Sequence, residues 1–198
     1  MLALCAAVLC GCISAQSYVD PVLPAADGTS VKPVAQPEPI QALFEFRTKG
    51  VANSRATELL SKTVMDTLVD SRLFSEVSAT PVASGRRIVI TLDNVPITSS
   101  SDAMAKGFGT GLTFGLIGTM ITDGYVCEAV YSAPTGDPVT FTYRHAIHTT
   151  IGNASGPPGL AGHKPVDAGK IVAAQVTWSV LRDLSSSGRL GPNGKGTQ

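Results

Sequence analysis

The sequence predicts an α+β fold, a two-layer sandwich in which one mixed β-sheet carries two helices on one face, in the order β-α-β-β-β-β-α. Three observations lead there. "IQALFEFRT" alternates Ile40, Ala42, Phe44 and Phe46 with Gln41, Glu45 and Arg47, the period-two pattern of a strand with one buried face. The next stretch changes to helical spacing. Two β-rich runs separated by turn residues then precede a second helical stretch. With 198 residues, 43% of them hydrophobic, the chain can bury one sizeable core, so a single domain is expected over residues 40–184.

The elements follow in order. Asn53-Ser54 supplies an N-cap, and Ala56, Leu59, Leu60, Thr63, Val64 and Leu68 recur as the buried stripe of an amphipathic helix. "SEVSATPV" and "RRIVITLDNV" flank Ala83-Ser84-Gly85, which suggests a hairpin, and the first strand, helix and second strand form a crossover. "YVCEAVYS", with a strand start at Tyr125, and "VTFTYRHAIHTTI" flank the turn residues 133–138 as an antiparallel pair. After the Gly/Pro-rich loop "GNASGPPGLAGHKP", a last helix starts near Asp167 and places Ile171, Ala174, Trp178 and Leu181 on one stripe. The tail from Ser185 to Gln198 has the composition of a disordered end.

One stretch fits none of these patterns. An apolar, glycine-rich insertion over residues 104–123 holds no charge from Phe108 to Ile121 but is broken by Gly109, Gly111, Gly115 and Gly118. As a helix it would align Gly107, Gly111, Gly115 and Thr119 in a small-residue stripe; as a strand it would point Phe108, Thr110, Leu112, Phe114 and Leu116 to one side. Each glycine costs a helix about 1 kcal/mol relative to alanine, so the stretch needs an apolar partner in either form. The candidates are the protein's own sheet, a partner subunit and a membrane. Phe108 and Leu112, with Gly107, Gly109, Gly111 and Gly115, are the expected interaction residues, because they follow the Ser-rich "ITSSSDAMAKG"; Phe114 is expected to be buried.

The N-terminus "MLALCAAVLCGC" has an apolar run too short to span a bilayer and reaches Leu9-Cys10-Gly11-Cys12, which resembles a bacterial lipobox. That resemblance implies a signal peptide over residues 1–11 and acylation at Cys12, palmitate included. Ile13, rather than Asp, after the cysteine implies sorting to the outer membrane. Pro21, Pro24, Pro33, Pro37 and Pro39 make residues 12–39 read as a Pro-rich tether. The whole order, lipobox cysteine, tether, strand, helix ending "RLFSEV", strand "RIVITLDN", apolar glycine-rich stretch, hairpin and C-terminal helix, resembles small bacterial envelope lipoproteins of largely undefined function. It is also similar to the periplasmic domains of lipoproteins that build secretion pores. The expected partners are the membrane, through the lipid anchor, and an envelope protein or a second copy of the chain.

Other functions lose ground on the residues. Fifteen basic side chains balance fifteen acidic ones, which removes the footprint of a nucleic-acid binder; Arg86-Arg87 reads as the solvated start of a strand. His145 and His148 would lie on opposite faces of their strand, exposed, and His163 in a loop without Cys, Asp or Glu at ligand spacing, so neither a metal nor another cofactor is expected. Cys127 reads as a small buried hydrophobe. No nucleophile elbow or Walker loop occurs, a Rossmann reading of Gly107-Phe108-Gly109-Thr110-Gly111 places Phe114 where the third glycine belongs, and Asp93 and Asp102 have no fixed geometry. The expectation is a non-enzymatic protein.

Overall fold

The computed structural model describes residues 15–23, 26–97, 120–152 and 154–191. These residues form one open mixed sheet of eight strands and two helices, and the predicted α+β sandwich holds. The elements are β1 (Ala15–Val19), β2 (Glu38–Thr48), β3 (Val51–Ala52), α1 (Ser54–Asp70), β4 (Phe74–Ser78), β5 (Arg87–Ile97), β6 (Met120–Ser132), β7 (Val139–Ile151), β8 (Gly162–His163) and α2 (Pro165–Ser186). Across the sheet the order is β3-β2-β5-β6-β7-β1-β8, with β4 also paired to β2.

Register aligns the core. Ala42 lies beside Ile88 and Phe46 beside Leu92, while Ile88 faces Tyr131 and Leu92 faces Cys127. All are buried, and both helices close over this face with Leu60, Val64 and Leu68 from α1 and Val172, Val176 and Val180 from α2. Burying each such side chain contributes about 1.5–3 kcal/mol, so one continuous layer of contacts holds both helices to the sheet.

Asn53 caps α1 as expected, its Oδ1 accepting the Ala56 N–H at 3.0 Å. Both helical stripes are rotated from prediction. Leu59 is 47% exposed, and Thr67 takes a place in the buried set of α1. In α2, which begins at Pro165, the predicted Ile171, Ala174 and Trp178 are only half-buried, and of the four predicted residues Leu181 alone is in the buried set. The reason lies on the helix flank: residues 26–36 run along it, with Gly28 against the Trp178 ring and the Lys32 N–H donating to Ser185 Oγ at 3.0 Å. That second apolar side blurred the single-stripe pattern.

The predicted hairpin between "SEVSATPV" and "RRIVITLDNV" does not form. β4 and β5 both pair with β2, in parallel, from opposite edges. The turn residues Ala83-Ser84-Gly85 instead carry the chain around the start of β2, where Ser84 Oγ donates to the Pro39 carbonyl and Gln41 Nε2 to that of Ala79. The parallel β2-α1-β4 unit is present.

Residues 15–39 are not a free tether. β1 pairs antiparallel with β7, from Ala15 opposite Ile151 to Val19 opposite Ile147, and Ser17, Tyr18, Asp20, Ala26 and Val31 are buried. Described residues from Ala15 onward, and not only from residue 40, therefore belong to the domain. Nor does it end at 184: α2 runs to Ser186, Leu190 is buried, and Arg86 donates to the carbonyls of Arg189 and Gly191. Arg86, expected to be solvated, is 5% exposed and also binds Glu38 and Tyr131. Finally, β6 begins at Met120 and not Tyr125, so the last residues of the expected insertion are sheet.

Candidate functional site

One end of the sheet gathers several chain exits. Thr48 of β2 lies beside Asn94 of β5, Ile97 at the end of β5 faces Thr122, Met120 at the start of β6 faces Thr150, and Ile151 at the end of β7 faces Ala15. The helices agree with this polarity. His145 meets Gln175 while Tyr143 meets Ser179 and Asp183, so α2 runs antiparallel to β7 and its N-terminus points to the end that holds Ile151. β8 confirms it, with His163 opposite Ser17. Ala15, Ile97 and Met120, the described residues next to the segment toward Cys12 and to residues 98–119, all lie at this end.

The large hydrophobic side chains exposed here are unevenly placed. Six are exposed among the described residues. Val51, Ile121, Ile151 and Val166 stand at this end, while Val69 stands at the C-terminal end of α1, the opposite end of the domain. Ile121 is paired with Thr149, which puts Ile121 and Ile151 on one face as diagonal neighbours about 7–8 Å apart. Val166 belongs to the first turn of α2 over that same face.

Behind this rim β1 is pinned by polar groups. Ser17 Oγ and Thr149 Oγ1 are 2.9 Å apart. The Asp20 N–H donates to the Ala146 carbonyl at 3.1 Å, and its carboxylate Oδ2 lies 2.9 Å from His148 Nε2. His148 Nδ1 is in turn 2.9 Å from Thr122 Oγ1. Asp20, His148 and Thr122 are all buried. The order Asp-His-Thr matches that of a nucleophilic triad, yet the burial leaves no room for a substrate at Thr122 and points to a structural tie.

The sequence placed His145 and His148 on opposite faces, and the register agrees: His145 meets α2 through Gln175, and His148 meets Asp20. Their expected exposure is wrong. Both are fully buried, His145 under α2 and His148 against Asp20 just beyond β1. Burial holds the His145 imidazole below the usual histidine range. Cys127 is buried as expected, its thiol pushed up to about 12 mainly by desolvation. Among the described residues no group of three His, Cys, Asp or Glu gathers as a metal site, and no helix is long and apolar enough to cross a membrane.

The residues singled out by sequence, Cys12, Gly107, Phe108, Gly109, Gly111, Leu112, Phe114 and Gly115, lie outside the described residues, as does Asp102. Ile121, Ile151 and Val166 were missed. Ile151 and Val166 each sit singly in the sequence and Ile121 ends the apolar stretch, and only the register brings the three together. Asp93 accepts the Gly50 N–H at 3.0 Å, a turn contact.

No protein-family model matches the chain, and no curated protein matches it. Solved structures do. Rare lipoprotein B from Shewanella oneidensis is similar over 73% of this chain and 94% of its own at 12% identity, with a TM-score of 0.37. The PelC dodecamer from Paraburkholderia phytofirmans is similar over 87% and 97% at 14% identity and a TM-score of 0.36. A minor lipoprotein from Acinetobacter baumannii is similar over 74% and 93% at 12% identity and a TM-score of 0.33. Matches this distant carry no functional conclusion.

Proposed function

We propose that this protein is a non-enzymatic lipoprotein of the bacterial cell envelope, acylated at Cys12, held in the outer membrane and facing the periplasm as a structural or interaction module. The observation that carries the reading is the point at which the chain enters the domain. A lipobox-like Cys12 stands three residues before Ala15, which is exposed and opens a strand at an exposed end of the sheet. An anchor attached there needs no rearrangement of the core. Acyl chains contribute about 0.8 kcal/mol per buried methylene, enough for three chains to hold the domain stably.

On this reading the apolar residues Phe108 and Leu112, with Gly107, Gly109, Gly111 and Gly115, meet an envelope partner or a second copy. Residues 98–119 join the domain between Ile97 and Met120, at the same end as the anchor. The described residues supply no observation in favour of the alternative, an oligomeric secretion pore with the Gly-rich stretch as membrane strands.

The test is the mature N-terminus. Mass spectrometry of protein extracted from the native membrane should find Cys12 as the first residue carrying acyl chains, and Cys12→Ala should move the protein to the soluble fraction. An unmodified Cys12, or unchanged membrane fractionation of the variant, overturns the proposal.

A further inference from the structure

We infer that the domain docks end-on against the phospholipid surface, with Ile121, Ile151 and Val166 seated in the interfacial layer, instead of standing clear of the membrane on a tether. The inference rests on acylation at Cys12 and goes beyond it, because an anchor alone leaves orientation open.

Chain length sets the geometry. An extended chain spans at most about 3.3–3.6 Å per residue, so the three steps from Cys12 to Ala15 reach about 10 Å. A bilayer of about 40–45 Å overall with a hydrocarbon core of about 30 Å leaves each leaflet a polar layer of roughly 5–8 Å. Ala15 is already fixed in the sheet, opposite Ile151. An acylated Cys12 therefore brings this strand end within or just above the headgroups, and puts the rim beside it within reach of them.

That rim has the composition such contact selects. Ile121 is 52% exposed, and Ile151 and Val166 are each 45% exposed. Isolated apolar side chains on a surface are ordinary. These three lie on neighbouring elements and on one face, around the exit of the anchored chain, which is how a small interfacial patch is built.

Site-specific labelling tests this on the full lipidated chain. Cys127 is fully buried and an acylated Cys12 has no free thiol, so Ile121→Cys, Ile151→Cys, Val166→Cys and, as the control at the far end, Val69→Cys can each be labelled selectively with an environment-sensitive fluorophore. In phosphatidylethanolamine/phosphatidylglycerol vesicles, the first three labels should shift to the blue and lose iodide quenching several-fold, while the label at residue 69 stays as accessible as in detergent-free solution. Mass spectrometry of the same preparation reports acylation separately. Acylated protein whose four labels quench alike overturns end-on docking and leaves the lipoprotein reading standing. Unacylated protein overturns both. Shielding of residues 121, 151 and 166 before vesicles are added also overturns docking, because another part of the protein then covers the patch.

Discussion

His148 Nε2 lies 2.9 Å from Asp20 Oδ2, an interaction between β7 and a residue just beyond β1 that is 128 positions away in sequence. It fastens the N-terminal strand to the body of the sheet. With His148 fully buried and Asp20 1% exposed, the loss of either partner leaves the other in a medium that solvates it poorly, at about 1–3 kcal/mol. Asp20→Ala and His148→Ala should each lower the free energy of unfolding by that amount in urea titrations. Amide exchange in Ala15–Val19 should accelerate more than exchange in β5. Equal acceleration in both strands would mean that the pair does not act as a local clasp.

Stability should fall on both sides of neutrality. On the alkaline side, burial pushes the Cys127 thiol up to about 12, and burial is also the main cause that raises Tyr125 and Tyr143, with Asp123 adding to Tyr125 and the Asp183 contact to Tyr143. In the unfolded chain such groups release protons from about pH 8.5 to 10. The folded state keeps them, so it binds more protons there, and stability declines as pH rises through that window. On the acid side, burial depresses His145. The unfolded chain takes up a proton at this residue below about pH 6.5 while the folded one resists, so stability declines on acidification. Urea midpoints at roughly pH 5, 7.5 and 10 should show a maximum in the middle. His145→Gln should flatten the acid limb alone, whereas an unchanged acid limb would assign it to groups other than His145.

Arg86 holds the C-terminal residues to the sheet. It donates to the Arg189 and Gly191 carbonyls at 3.2 and 3.1 Å and also reaches Glu38 and Tyr131. A lysine has one ammonium point where this site uses a fork of donors. Arg86→Lys should therefore cost about 1–3 kcal/mol and expose the chain after Ser186 to carboxypeptidase, while wild type is trimmed no further than Gly191 under the same conditions. Equal trimming of both proteins would remove Arg86 from this role.

Much of the fold was legible because the long elements are periodic. The alternation of β2 and the existence of α1 hold, although the buried stripe of α1 is rotated, and the antiparallel pairing of β6 with β7 followed from its turn residues. What failed was long-range. β1 has only five residues, preceding a stretch rich in proline, and its pairing partner begins more than a hundred residues later, so no local pattern marks it as sheet. The same holds for β4, whose neighbour is chosen by a crossover and not by the turn that follows it. Arg86 beside Arg87 looks like a charged pair, yet alternation along the strand puts one inside and one in water. Of the candidate site, the rim of Ile121, Ile151 and Val166 exists only once the register is known, while Phe108, Leu112 and the glycines singled out by composition lie outside the described residues.

The most direct check that the N-terminal segment belongs to the domain is its contact with the loop after β7. A Cβ built on Gly156 would sit 2.0 Å from Tyr18 Cζ, and the next nearest atoms, at 2.3 and 2.5 Å, also belong to the Tyr18 ring. The ring itself is 7% exposed and its hydroxyl donates to Gln16 Oε1 at 2.7 Å, so it has little freedom to move aside. Gly156→Ala should thus destabilise by about 1–3 kcal/mol, the usual cost of overfilling a packed site. Tyr18→Ala should also destabilise, by about 3–5 kcal/mol or less, as large-to-small changes of buried aromatics do. The double variant is the discriminating one. Because the added methyl meets nothing nearer than the ring, Tyr18→Ala removes its obstacle, and the double variant should be no less stable than Tyr18→Ala alone, a coupling equal to the whole Gly156→Ala effect. Simple additivity in a urea titration would mean that residues 15–20 do not lie under this loop in solution, and the short reach from Cys12 to the sheet would fail with them.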